Sequence, residues 1–180
     1  MKKTKTHLAG AFLGDVSDSL AKGNLPLILK SLNQLPEDDI WWRPNSASNS
    51  AGNLVLHLCG NVRQWIIAGL GGVEFQRDRD REFSEKGPIP RRVLSARLRQ
   101  TVQEACAVLA RLSDDDLFKR FNIHGYHVTG LIAARHVAEH FGYHTGQIIY
   151  ITKLKRAQDL KYTRLPKLKK PANKARKMTV

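Results

Sequence analysis

Two cysteines, Cys59 and Cys106, are all that the 180 residues contain. Both fall inside helix-patterned stretches, which excludes a disulfide-built scaffold and leaves them as small, reduced core residues. Acidic side chains are scarce as well, with 16 Asp and Glu against 30 Lys and Arg and a net charge of +14. No apolar run reaches the length of a membrane span. The serine-hydrolase elbow, the P-loop and the dinucleotide glycine fingerprint are missing, so the reactions they serve are set aside. Gly69, Gly71 and Gly72 cluster with neither a strand before them nor a P-loop lysine, and they read as a helix end. Without convincing strand alternation or an internal repeat, the remaining pattern is helical.

The excess of positive charge is confined to the ends. Lys2, Lys3 and Lys5 supply three charges, and residues 153–180 carry eleven Lys and Arg against Asp159 alone, which leaves one net charge for the body. We therefore divide the chain into a bundle domain over 1–157 and a basic, partly disordered tail over 158–180. Such a tail binds phosphates loosely at most, and no nucleic-acid-binding motif accompanies it. The N-terminus opens with lysines as a signal peptide does, but Asp15 and Asp18 break the apolar stretch and no cleavage site follows. The expectation is a cytoplasmic protein with no membrane partner.

A first helical segment is expected from Thr6 to Gln34, kinked or broken near Gly23, Asn24 and Pro26. Trp41 and Trp42 begin a loop rich in turn residues, where they pack at the bundle end or wall a substrate pocket. Asn49 or Ser50 caps a second helix that carries His57, Leu58, Asn61 and Trp65 on one broad face. An imidazole among leucines needs a partner there. The run Arg77, Asp78, Arg79, Asp80 and Arg81 reads as a solvated, salt-bridged loop. Pro90 opens a third helix that ends near Leu112, and Ser113 starts a short turn or helix. Residues 118–130, with His124 and His127, read as an irregular loop. Thr129 caps a fourth long helix. The fold class is therefore all-α, an antiparallel-type four-helix bundle.

The fourth helix holds His136, His140 and His144 at a strict four-residue spacing. Each step turns the side chain by about 40° and rises about 6 Å, so all three share a face but the outer two lie about 12 Å apart. Metal–nitrogen bonds of about 2 Å therefore allow one adjacent pair to chelate. Bundles build such sites from inward side chains of neighbouring helices, and His57 is the candidate third ligand. Three neutral imidazoles leave positions open for water or substrate, as catalytic centres require. Zinc is the first expectation, with nickel, iron or manganese as alternatives. Gln147, just past His144, is a candidate either to support the ligands by hydrogen bonding or to pack between helices, and Asn61, which shares the face of His57, is a second supporting candidate.

The segments LPEDDIWWRPN, NSAGNLVLHLCGNVRQWIIAG and EHFGYHTGQIIYITKL occur here in the order found in the DinB-like, YfiT-related metalloenzymes. The chain resembles that family over residues 10–157. The resemblance implies a DinB/YfiT-like four-helix bundle and a divalent metal held by His57, His140 and His144, with His136 left beside the site. Many relatives have arginine where this chain has Thr145. The wider group includes transferases and isomerases that use a low-molecular-weight thiol such as bacillithiol or mycothiol. The expected function is thus metal-dependent transfer to a small-molecule substrate through an activated thiol or water, in a chain that could pair as a homodimer. Three alternatives stand beside it. One is a non-catalytic metal-binding or interaction scaffold. Another is a hydrolase using the H-x-x-E-H run of His136, Glu139 and His140. The last is a nucleic-acid binder acting through the basic tail.

Overall fold

The computed structural model describes residues 8–162. The N-terminal lysines and residues 163–180, most of the basic tail, lie outside the described residues. Helix α1 (Leu8–Asp18) runs through a π turn (Ser19–Asn24) into α2 (Leu25–Gln34). The expected kink or break is therefore a widened turn within one continuous rod. Pro26 sits in the first turn of α2, where its missing N–H costs little, and the Asn24 amide donates to the Ser19 carbonyl at 2.9 Å.

The second rod is α3 (Ala51–Val62), which continues through a π turn (Arg63–Ala68). After a short helix α4 (Arg79–Ser84) comes the third rod, α5 (Arg91–Leu109). Next are α6 (Asp114–Phe118), strands β1 (Arg120–Ile123) and β2 (Tyr126–Thr129), and the fourth rod, α7 (Gly130–Arg156). Sequence caps hold at three of these starts. Ser50 and Ser113 form capping boxes with Asn53 and Asp116, and the Thr129 hydroxyl accepts from the Ile132 N–H.

The β-hairpin corrects the expectation of an irregular loop. Phe121 pairs with Val128 and Asn122 with His127, and the turn between the strands is His124–Gly125, both at positive φ. Two positive-φ residues make the tight turn that matches the twist of paired strands. Four-residue strands are too short to show alternation in a sequence.

The direction of the rods follows from residues that meet. Arg91, opening α5, donates to the Leu35 carbonyl just past the end of α2 at 3.1 Å, so these two rods run antiparallel. Arg63 pairs with Glu104 at 3.0 Å, while Leu56 and Val93 line one cleft nearer the other end; α3 and α5 therefore run in the same direction. Residues 73–90 must return along the length of α3 before α5 can start. They form a strap, and its length comes from that crossover.

Helix α3 is enclosed on every side, with each residue from Ala51 to Val62 buried. Leucines from α5 and Phe141 and Ile148 from α7 complete the surrounding core. The strap and residues 38–42 cover the rest. Trp41 packs at the bundle end against two glycines. A Cβ on Gly52 would come within 2.9 Å of its indole, and one on Gly87 within 2.6 Å. Past the end of α7, the Tyr162 hydroxyl meets Ser31 Oγ at 2.8 Å.

Gly87 has φ of +80°, which side-chain-bearing residues adopt at a cost, and the indole leaves no room beside it. Gly87→Ala is expected to lower stability by about 2 kcal/mol or more. Urea denaturation followed by tryptophan fluorescence checks this; an unchanged midpoint would refute the packing account.

Candidate metal centre

Helix α3 places His57 on the side facing α7, whose two buried turns bring His140 and His144 to meet it. The helices are antiparallel here, so residues pair like rungs: His57 lies opposite His140, and one turn away Asn61 lies opposite His136. His57 and His144 are only 4 % and 9 % exposed. One ligand-capable atom from each of His57, His140 and His144 lies within 4.8 Å of the others. Nε2 of His57 and Nε2 of His140 are 2.8 Å apart. The three rings stand edge-on to one another, at interplanar angles of 67°, 84° and 85°. With their ligand atoms this close together, the three histidines could hold a metal ion.

Hydrogen bonds on the far sides of two rings decide which nitrogen carries the proton. His57 Nδ1 lies 2.9 Å from Glu82 Oε2, with Arg77 Nη2 also 3.0 Å away, and His144 Nδ1 lies 2.7 Å from Gln147 Oε1. The Glu82 and Gln147 oxygens accept, which favours a proton on each Nδ1 and leaves Nε2 as the nitrogen able to bind a metal. Glu82 is itself clamped. Arg77 donates to Oε1 from Nε and to Oε2 from Nη2, both at 2.7 Å, and its Nη1 donates to Gln64 Oε1 at 2.7 Å. The Arg77 and Glu82 side chains are 8 % and 10 % exposed, so this is a buried, bidentate ion pair with its polar atoms matched. Burial pushes the Glu82 carboxyl up, but hydrogen bonds from His57 and Arg77 and the guanidinium charge outweigh it and hold the group below 4.5.

Arg77 and Glu82 correct the reading of this run as a solvated loop. Asp78 does face solvent, where it caps α4 by accepting from the Arg81 N–H at 3.0 Å. Arg77 and Glu82 instead turn inward over Gly60, where a Cβ would come within 1.8 Å of Glu82 Oε1. Asn53 fastens this part of the strap, donating to the carbonyls of Glu82 at 3.0 Å and Glu85 at 2.8 Å. The sequence held a signal for this arrangement. A glycine in the middle of a buried helix marks a close approach, and it lies one turn from a histidine that lacks a partner on its own helix.

The other candidates take distinct places. Gln147 sits against His144. Asn61 Nδ2 approaches His136 Nε2 at 3.4 Å, and its buried Oδ1 has no hydrogen-bond partner among the described residues. His136 lies outside the three-histidine group, stacked parallel to His140 and against Trp65 at a centroid distance of 4.3 Å. Glu139 turns away from the histidines to pair with Arg135, with its side chain 61 % exposed, so the H-x-x-E-H run does not aim a glutamate at the site. His124 and His127 are on the hairpin. Cys59 is buried beside α5 with its thiol pushed up to about 11 by burial, which makes it inert at neutral pH.

Burial also depresses the imidazoles. Desolvation, followed by the neighbouring histidines, takes His140 from 6.5 to about 3; desolvation likewise lowers His144 and His136. The unfolded chain binds protons at these rings near 6.5 while the folded chain does not. Their contribution to stability is therefore complete above 6.5 and is lost as pH falls toward 3. Metal-free protein is expected to show a steadily falling urea midpoint across that window, and His140→Gln is expected to flatten the slope; equal slopes for the two proteins would refute the assignment.

The architecture has counterparts of known structure. A DinB-like protein from Bacillus cereus ATCC 10987 has a TM-score of 0.62 at 15% identity, over 81% of this chain and 91% of its own. The DinB-like protein YjoA from Bacillus subtilis has a TM-score of 0.57 at 20% identity, over 84% of this chain and 94% of its own. A conserved protein from Enterococcus faecalis has a TM-score of 0.60 at 15% identity, over 88% and 99%. No curated protein matches the chain. Among the described residues no helix is long and apolar enough to cross a membrane. The family described as "Protein of unknown function (DUF1572)" matches residues 8–169, and with that match and its DinB-like helical fold the chain belongs to the DUF1572 family.

Proposed function

We propose that the protein is a divalent-metal-dependent enzyme in which His57, His140 and His144 hold the ion and a small thiol, or water, serves as the nucleophile in group transfer. The observation that supports this reading most is the tautomer setting at His57 and His144. In each ring Nδ1 faces an acceptor oxygen, which favours the tautomer whose Nε2 can bind an ion. A divalent ion bound there would lower the pKa of a coordinated thiol or water toward neutrality. Imidazole ligands suit zinc, and also nickel, iron or manganese.

The chain's own residues do the rest. Glu82 and Gln147 orient two of the rings, and Arg77 keeps Glu82 ionised in a buried setting. Phe83 packs on His57 at a centroid distance of 4.7 Å and Tyr143 on His144 at 5.0 Å, which screens the group with aromatic surface. Glu82 is committed to Arg77 and His57, and Glu139 faces outward. This arrangement favours a nucleophile activated by the metal over one deprotonated by a carboxylate base. It also fits a metal-binding scaffold without turnover, which the activity arm of the experiment separates. A cytoplasmic setting and a small-molecule substrate go with the catalytic reading.

Protein reconstituted with zinc, nickel, iron or manganese is expected to retain about one ion per chain with at least one of them. The ion should be lost in His57→Ala, His140→Ala and His144→Ala and kept in His136→Ala. Glu82→Gln, assayed by competition with a chelator, is expected to weaken metal affinity by about 10- to 100-fold. Thiol-dependent consumption of an electrophile distinguishes transferase from scaffold. Wild-type protein that takes up no stoichiometric metal would end the metalloenzyme reading.

A further inference from the structure

Beside the three histidines, α7 carries a second feature on its neighbouring face. Tyr143, Gly146, Gln147, Tyr150 and Leu154 follow one another at helical spacing. Tyr143 and Tyr150 are each 64 % exposed and Leu154 47 %, an unusual concentration of large apolar surface on one stripe. The stripe faces residues 44–49 across a cleft of about 680 Å³, within the size range of small-molecule sites. Leu54 and Ile151 also line it, and Ser48 and Asn49 lie at its edge. Among the described residues no Lys, Arg, Asp or Glu lines it.

The cleft touches the histidine group at two points. Tyr143 packs edge-on against His144, and Gln147 gives its Oε1 to His144 Nδ1, which leaves its amide N–H groups uncommitted among the described residues. Gly146 supplies the depth. A Cβ at this position would meet nothing within 4 Å, so the space over it is open. We propose that the cleft between residues 44–49 and the Tyr143–Leu154 face of α7 binds a small, neutral, mainly apolar molecule as the co-substrate of the three-histidine centre. An anionic ligand would leave its charge without a cationic partner on these walls, whereas aromatic or alkyl groups gain contact with both tyrosines. A hydroxyl or carbonyl on the ligand finds hydrogen-bonding groups in the Tyr hydroxyls, Asn49 and the Gln147 amide. The role as co-substrate site rests on the metal reading above.

Equilibrium dialysis of zinc-reconstituted protein against 2-naphthol and 2-naphthoate tests the proposal, because the two share a ring system and differ in charge. The expected result is binding of 2-naphthol, at least about tenfold weaker binding of 2-naphthoate, and a comparable loss of 2-naphthol in Gly146→Leu. Leucine favours a helix more than glycine does, so this variant fills the cleft without threatening the fold, and its zinc content should be unchanged. Tyr150→Ala, which removes an exposed ring, provides the second variant and should also weaken 2-naphthol. Equal affinity for the two ligands, or unaltered binding in both variants, overturns the proposal. So does dissociation of a wild-type dimer by Gly146→Leu, because a second copy would then be the natural cover of this face. Zinc-loaded protein that ignores 2-naphthol overturns the cleft alone, while protein that binds 2-naphthol but takes up no stoichiometric metal overturns the metal reading and the co-substrate role together.

Discussion

Two buried charges, those of Arg77 and Glu82, set the terms for the centre of this molecule. Removing both from water is costly, and the cost is tolerable only where nearly every donor and acceptor is matched. Here the guanidinium fork meets the carboxylate on two oxygens, Gln64 takes a further N–H, and His57 completes the Glu82 shell. The neighbouring sequence conforms to that pair. Position 60 must be glycine to admit it, and Asn53 must hold the strap's carbonyls. The histidine at 57 takes a single orientation as a result. A charge cluster that looks like surface chemistry thus fixes the most buried helix of the fold.

The crossover explains how the cluster comes to be there. Helices α3 and α5 run in the same direction, so the chain between them has to traverse the bundle rather than turn back on itself. A tight turn could not bring Arg77 and Glu82 alongside the middle of α3, whereas an eighteen-residue strap can. Trp41 presses on that strap at Gly87 and on α3 at Gly52, joining the two where the strap arrives. Length that looks wasteful in the sequence is used to deliver two side chains.

What could be read from the sequence was what local rules encode. Helical periodicity located the four rods; Ser50, Pro90 and Thr129 marked the starts of three of them, and Ser113 that of the short α6, because a cap is decided within a few residues. The three histidines of α7 were visible by spacing, and His57 by the misfit of an imidazole among leucines. Order and motif together pointed to the DinB-like family. The strap was opaque because Arg77 and Asp78 are neighbours with opposite fates, and only the surface of α3 distinguishes them. The hairpin escaped notice because four residues per strand are too few for a pattern, and His-Gly is a less familiar form of its turn. The π turn after Asp18 was signalled by Gly23, Asn24 and Pro26, but those residues suggested a break where Asn24 instead mends the helix.

The antiparallel rungs between α3 and α7 carry one more implication, for how the gene can change. Each residue added to a helix rotates everything beyond it by about 100°. An insertion or deletion between His57 and Asn61, or between His136 and His144, would therefore turn paired side chains off their shared face even if every original residue were retained. Substitutions can be absorbed one at a time along these turns, but changes of length cannot. In this chain, the spacing across these two spans is thus a stricter condition for keeping the histidines together than the identity of the residues between.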